Sequence, residues 1–139
     1  MKIVTWNVNS VNVRLPNILK YLSDYKPDVL CLQELKCSDD KYPIDEFTSA
    51  GYKTIQACQK TYNGVSIISK IQARDYSINP VYVTKDEMRS IAATYNGVRV
   101  INFYVVNGQS VGSDKYKHKL NWLKKAQKYI KDNLRFIQI

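Results

Sequence analysis

The apolar positions of this chain switch between a strand period and a helix period at short intervals. Lys2-Ile3-Val4-Thr5-Trp6-Asn7 is β-branched and aromatic, which predicts a strand ending in the polar cluster Asn7-Val8-Asn9-Ser10. Leu15, Ile18, Leu19 and Leu22 then recur at i, i+3, i+4 and i+7, one apolar face of a helix over 12–24. Asn12 is the expected N-cap, Pro16 is tolerated near the first turn, and Pro27 lies just past the end. The unbroken apolar run Val29-Leu30-Cys31-Leu32 predicts a central strand over 28–33, buried on both faces and ending in Gln33 and Glu34.

A polar loop from Lys36 to Lys41 and a short segment from Pro43 to Ala50 follow. Strands are expected from about Tyr52 to Cys58 and over Val65–Ser69, joined as a hairpin by a loop containing Asn63-Gly64. Lys60, Tyr62 and Lys70 bracket that hairpin; they suit either contact with phosphates and bases or plain solvation. The period weakens over 72–88, where a loosely ordered strand is expected around 76–82. Asn96-Gly97 is the clearest turn and links Ser90–Tyr95 to Val98–Val105, with Val98, Val100, Asn102 and Tyr104 on one face. A long helix is predicted over Ser113–Leu134, capped by Ser113. Its apolar stripe is Tyr116, Leu120, Leu123, Ile130 and Leu134, and Lys117, Lys124, Lys128 and Lys131 form the opposite, solvated face. Arg135–Ile139 reads as the start of another strand.

The first strand, helix and second strand form a crossover unit. If the two strands are parallel neighbours, their C-terminal tips share one sheet edge and Asn7 meets Glu34. An amide and a carboxylate converging there suit a hard, oxygen-ligated cation such as Mg²⁺ and the phosphate it binds. Glu34 as the first solvated residue after a core strand is the other reading of the same pattern.

Composition narrows the classes. The 139 residues are enough for one core, and no boundary, repeat or linker divides them. No apolar run approaches the roughly 18 residues of a membrane span, and Met1-Lys2-Ile3 leads straight into a strand without a signal-peptide pattern. A cytoplasmic location is expected. Three cysteines, Cys31, Cys37 and Cys58, without a C-x-x-C pair argue against a disulfide framework or a zinc site. The net charge of +9 favours a polyanionic partner, nucleic acid first, although surface lysine is also an inexpensive solvating group.

Several ordered motifs carry a specific resemblance. Met1 to Ser10, with Arg14, resembles the first motif of the exodeoxyribonuclease III branch of the endonuclease/exonuclease/phosphatase family. Pro27-Asp28-Val29-Leu30-Cys31-Leu32-Gln33-Glu34-Leu35-Lys36 is similar to that family's P-D-[hydrophobic]4-Q-E-x-K motif. Asp39-Asp40-Lys41-Tyr42-Pro43, Gly64–Lys70, Arg89 behind its acidic pair and Asn102–Gly108 continue the likeness over residues 1–134. The resemblance implies an α+β fold, one half of a four-layer α/β/β/α sandwich. It also implies a Mg²⁺-dependent phosphodiesterase, with Mn²⁺ as a substitute, acting on DNA at abasic sites and 3′ ends. By the same likeness Glu34 is the metal ligand, Asn7 binds or positions the phosphate, and Tyr104 stands beside the scissile phosphate. Lys36 and Arg89 position the backbone or support the site. Val106 stands where the family's Y-x-P-x-G loop has proline.

The second half of the family pattern, with a G-D-x-N strand, further aspartates and a terminal S-D-H, does not occur in this sequence. His118, the one histidine, matches no family position and is expected on the surface. Residues 1–139 are therefore expected to be a partial domain, truncated or frame-disrupted before the G-D-x-N strand, and weak or inactive alone. Such a half should expose a sheet face that its partner would bury, and so be marginally stable or self-associating, unless another chain supplies the second half. Two further readings stand beside this one: a non-catalytic DNA-binding remnant, and a phosphatase or lipid-phosphodiesterase branch of the same superfamily.

Overall fold

The computed structural model describes residues 1–134. The strand expected at Arg135–Ile139 lies outside the described residues. The elements run β1 (Ile3–Asn7), α1 (Val11–Tyr25), β2 (Val29–Gln33), α2 (Ile44–Ser49), β3 (Lys53–Ala57), β4 (Val65–Ser69), β5 (Arg74–Ile78), β6 (Ser90–Tyr95), β7 (Val98–Phe103) and α3 (Asp114–Asn133). They build two sheets, ordered β1-β2-β4-β3 and β5-β6-β7. The crossover is as the sequence predicts: β1 and β2 are parallel, in a register that sets Asn7 opposite Gln33. All other pairings are antiparallel.

The alternation of side chains along β2 explains the layers. Leu30 and Leu32 face one way and pack with Val11, Ile18 and Leu22 of α1 and Phe47 of α2. Val29 and Cys31 face the other way and pack with Val65 and Ile67 of β4 and with Ile91, Ala93, Tyr95 and Val100 of the second sheet. On the outer face of that second sheet, Trp122 and Ala126 of α3 close over Val81 and Val106, with Phe103 edge-on to Trp122 at 5.3 Å between ring centroids. The result is helix, sheet, sheet, helix: the four layers that the resemblance implies. The two sheets cover each other over β2, β4 and β3. The sheet face expected to lie bare is therefore closed there and stays open at β1, where Ile3 and Thr5 are exposed.

Three local expectations shift. Ser10, not Asn12, caps α1, its hydroxyl accepting from the Val13 amide at 3.4 Å; Asn12 instead donates to the Lys41 carbonyl. The strand placed around 76–82 is β5, ending at Ile78. Asn79 is buried just beyond it, its Nδ2 donating to the Lys85 carbonyl, and Pro80 cannot donate to a ladder. On α3 the buried residues are Trp122 and Ala126, whereas Leu120, Leu123, Ile130 and Leu134 are exposed. The helix turns its one tryptophan towards Phe103 and leaves the leucine stripe on a flank.

A polar tie crosses the interior between the sheets. Gln33 Nε2 donates to Asn102 Oδ1 at 2.8 Å and to Thr5 Oγ1 at 2.9 Å. Asn102 Nδ2 donates to the carbonyls of Leu32 and Ser66, both at 2.9 Å. Both side chains are buried, so each bond satisfies a group that would otherwise be stranded away from water. This tie fixes β7 over the end of β2, and the residues after those two strands, Glu34 and Tyr104, meet as a consequence.

Candidate active site

The segment after β2 is gripped from both sides. Ser10 and Val11 amides donate to the carbonyls of Glu34 and Leu35 at 2.8 and 3.1 Å. Leu35 and Lys36 amides donate to the carbonyls of Gly64 and Asn63 at 3.2 and 3.0 Å. Held in this way, Glu34 and Lys36 adopt left-handed backbone angles, φ 57° and 52°, which side chains beyond glycine rarely take. Each such residue costs roughly 1 kcal/mol or more, and such strain gathers where a side chain must be aimed. Gly64 is required at its place: its φ is +89°, and a Cβ there would come within 2.9 Å of the Leu35 Cβ.

The aim converges on one carboxylate. Asn7 Nδ2 and the Tyr104 hydroxyl both donate to Glu34 Oε1 at 2.8 Å. Lys36 Nζ lies 3.3 Å from Glu34 Oε2 and also donates to Asn9 Oδ1 at 2.6 Å. Asn7 is itself oriented by the Asn9 amide, which donates to its Oδ1 at 3.2 Å. The Asn7 amide first, then the Tyr104 hydroxyl and Lys36, hold the Glu34 carboxyl below its ordinary pKa, against an opposing push from burial. The Tyr104 hydroxyl is pushed up, by burial first and then by the bond it gives to Glu34. At neutral pH the pair is a carboxylate and a protonated phenol.

Arg89 stands behind Tyr104. Its guanidinium carbon is 4.7 Å from the Tyr104 ring centroid, its Nη1 donates to the Tyr104 carbonyl at 3.3 Å, and the Tyr104 amide donates to the Arg89 carbonyl at 2.8 Å. The structure thus brings together all five residues singled out by the sequence, Asn7, Glu34, Lys36, Arg89 and Tyr104. Three contributors were not singled out. Glu87 Oε2 accepts from Arg89 Nε at 2.9 Å and meets His118 Nε2 at 3.3 Å. His118 is accordingly half-buried against Glu87 and not a free surface residue as expected. The third is the Gln33–Asn102 tie, whose residues both lie in the family-like motifs and at an inward position of each strand, though neither was given a role. Beside Arg89 opens a cleft of about 400 Å³ lined by Glu87, Asn107, Lys115 and His118 among others.

A cation would find one hard oxygen donor here. Among the described residues no group of three or more His, Cys, Asp or Glu side chains converges on a common point. An ionised, hydrogen-bonded single carboxylate fits Mg²⁺, which keeps several waters and is commonly bound through one or two carboxylates plus a substrate phosphate. It does not fit an ion that needs a complete protein cage.

The chain is similar to known proteins over nearly its whole length. Exodeoxyribonuclease of Bacillus subtilis is 30% identical over 137 residues, covering 94% of this chain and 52% of its own. Among solved structures, the 3′ phosphatase from Neisseria bound to product DNA hairpin superposes with a TM-score of 0.91 at 45% identity, covering 95% of this chain and 52% of that one. An AP endonuclease from Archaeoglobus fulgidus gives 0.92 at 39% identity, covering 98% and 53%. The chain spans about half the length of these relatives. The model of the Endonuclease/Exonuclease/phosphatase family aligns with residues 4–135, so nearly the whole of this chain belongs to that family.

Proposed function

We propose that this chain supplies one half of the active site of a divalent-metal-dependent DNA phosphodiesterase that works at abasic sites and 3′ ends. The observation that carries the reading is the convergence of Asn7, Tyr104 and Lys36 on the Glu34 carboxylate. The names of the relatives supply the substrate class: an exodeoxyribonuclease, an AP endonuclease and a 3′ phosphatase bound to DNA. The net charge of +9 supports a polyanionic substrate.

Each residue has a role that its surroundings allow. Glu34 is ionised and would hold Mg²⁺, or Mn²⁺ in its place. The metal neutralises charge on the phosphoryl oxygens when bound. Tyr104 keeps its proton across the neutral range, and its one O–H, given to Glu34 Oε1 here, would turn to the phosphate once that carboxylate is engaged by the cation. The Asn7 amide orients Glu34 and would bind the same phosphate. Lys36 and Arg89 add positive charge on either side and hold the DNA backbone. A single carboxylate is too few groups for the whole reaction, because water must also be deprotonated and the leaving oxygen assisted. Residues 1–139 therefore act as a partial domain, with weak or no turnover alone. No helix among the described residues is long and apolar enough to cross a membrane; a cytoplasmic setting goes with a DNA substrate.

The lack of a converging ligand cluster among the described residues favours a second reading, a DNA-binding remnant without catalysis. An abasic-site duplex separates the two. The nuclease reading expects Mg²⁺-dependent incision, however slow, that Glu34→Gln abolishes. Salt-sensitive binding with no incision by either protein would support the remnant instead.

A further inference from the structure

Two of the three cysteines meet on the helix-covered side of the first sheet. Cys37 follows Lys36 in the loop after β2, and Cys58 follows β3. The strand ladder brings them together. Gln33 of β2 and Ala57 of β3 flank Val65 on the two sides of β4. Just beyond, the Leu35 and Lys36 amides bond to the carbonyls of Gly64 and Asn63, and Asn63 Nδ2 donates to Gln59 Oε1 at 3.0 Å. The chain leading into Cys37 and the chain leading out of Cys58 are thus tied to the same turn. Both cysteines pack into the cluster that holds Tyr42 and Phe47, and the Cys58 thiol hydrogen-bonds the Cys37 sulfur. Cys31 lies on the opposite face of β2, in the core between the sheets.

The surroundings make the two sulfurs unequal. Cys37 is buried, whereas Cys58 is half-buried and opens the pair to solvent. The bond from Cys58 holds the Cys37 thiol below its ordinary pKa, against burial and the negative charges of Asp39 and Asp40. The same bond, and then burial, pushes the Cys58 thiol up. When the pair loses one proton, the thiolate therefore forms on Cys37 and the hydrogen stays on Cys58. Cys58 has a second acceptor in the Asp39 carboxylate. A thiolate in contact with a protonated thiol is the setting of a reactive cysteine beside the one that resolves it. Cys31 is the contrast: burial alone pushes its thiol up to about 12, as for an inert core cysteine.

We propose that Cys37 and Cys58 form a reversible oxidation site, at which hydrogen peroxide converts two hydrogen-bonded thiols into a disulfide that ties the loop after β2 to the end of β3. The Cys37 thiolate attacks one peroxide oxygen; the O–O bond breaks, the other oxygen leaves as hydroxide, and Cys37 carries a sulfenic acid. The Cys58 sulfur then attacks the Cys37 sulfur. The S–O bond breaks and the S–S bond forms, while the Cys58 proton, relayed by Asp39, leaves with the departing hydroxide as water. The two sulfurs lose two electrons and the two peroxide oxygens gain them. A dithiol reductant reverses the step by thiol–disulfide exchange. Closing the bond draws the sulfurs from hydrogen-bond contact into covalent contact, and the nearest backbone on the Cys37 side is that of Lys36, held at φ 52°. The loop that aims Glu34 therefore moves with the state of the pair. The proposal stands on the contact between the two sulfurs and not on the chemistry assigned to Glu34, so the two can fail separately.

The test is titration of the purified chain with hydrogen peroxide, followed by thiol counting, peptide mass mapping and amide nuclear magnetic resonance. Three free thiols should fall to one, with the Cys37 and Cys58 peptides joined within a single chain, and dithiothreitol should restore all three. The pair should react about tenfold faster than Cys31, or more. Resonances of Leu35, Lys36 and Gly64 should shift on oxidation, and those of Asn96 and Gly97 at the opposite end of β7 should not. Cys58→Ser should block the disulfide and leave a Cys37 sulfenic acid that dimedone captures, whereas Cys31→Ser should form the same disulfide as the parent chain. Any of four results would overturn the proposal: three thiols that persist where free cysteine is oxidised, a bridge between two chains, a bridge that uses Cys31, or Lys36 resonances that ignore the bridge. Dimedone labelling of Cys37 that is no greater in Cys58→Ser than in the parent chain would overturn the role of Cys58 as the resolving thiol.

Discussion

The two sides of this sandwich are made from the same sheets and obey different rules. On the β3 and β5 side, the edges end in charge, polar residues and a register shift, which suit contact with water. On the β1 and β7 side, the strands are regular, nearly free of charge, and flanked by exposed Ile3, Leu123 and Ile130. The strained, hydrogen-bonded residues of the candidate site gather at the tips of the second side. The lesson is that a complete core and a complete site are separate achievements. The interior between the sheets is filled and its polar groups are tied, while the site stands at an edge that this chain leaves open.

The largest way to break that comparison is through the tie itself. Asn102→Ala would take one acceptor from the Gln33 amide, which keeps Thr5, and would remove the side-chain donor from the buried carbonyls of Leu32 and Ser66. Roughly 3 kcal/mol of stability should be lost, since each buried unpaired group costs about 1–3 kcal/mol. Chemical denaturation measures this, and hydrogen exchange should speed up in β7 and β2 more than in β5. A loss below about 1 kcal/mol would mean that apolar packing alone holds the open side. Gly64→Ala is the next largest. It adds a Cβ 2.9 Å from Leu35 at a left-handed φ and should cost about 2 kcal/mol, with displaced resonances at Leu35 and Lys36. Unchanged stability and spectra there would show that the loop is not as tightly held as its hydrogen bonds indicate.

Smaller effects sharpen the picture. Glu34 has its pKa lowered in the fold, so its contribution to stability is complete above about pH 4.3, the ordinary Glu value, and is lost as pH falls through the lower folded value. Carbon-13 titration of the Glu34 carboxyl should show a midpoint below the ordinary value, rising towards it in Asn7→Ala, because the Asn7 amide is the first cause of the shift. A wild-type midpoint at or above about 4.3 would remove the argument for a preformed anionic site. The smallest effect is at the open edge. Ile3→Glu should change stability by less than about 0.5 kcal/mol, as exposed substitutions do, yet reduce any association of this chain at high concentration. A matching charge on the other side, Gln56→Glu, should leave association unchanged. Equal responses would erase the difference between the two sides.

Much of this arrangement is legible in the sequence because it depends on short-range rules. The apolar run of β2, the helix period of α1 and the Asn96-Gly97 turn each specify an element locally, and the crossover rule then places Asn7 beside Glu34. Tyr104 and Arg89 were available through the family likeness. What the sequence hides depends on contacts between distant segments. The leucines of α3 read as a core stripe, but Phe103 offers its edge to Trp122, and that contact sets the rotation of the helix. His118 reads as one more polar residue on a lysine-rich helix; only the fold brings Glu87 to it. Gln33 and Asn102 are ordinary polar residues until the second sheet lies on the first. The expectation of a bare sheet face fails over most of the first sheet for the same reason, and holds only at β1, because the second sheet brings three strands against four.

The most direct test is a Mg²⁺ titration followed by nuclear magnetic resonance, comparing the intact chain with Glu34→Gln. Saturable shifts confined to Asn7, Glu34, Lys36 and Tyr104, absent from the variant, are the predicted result. Shifts that persist unchanged in Glu34→Gln, or that appear away from the tips of β1, β2 and β7, would contradict the claim that this chain carries half of a metal-dependent site on its open side.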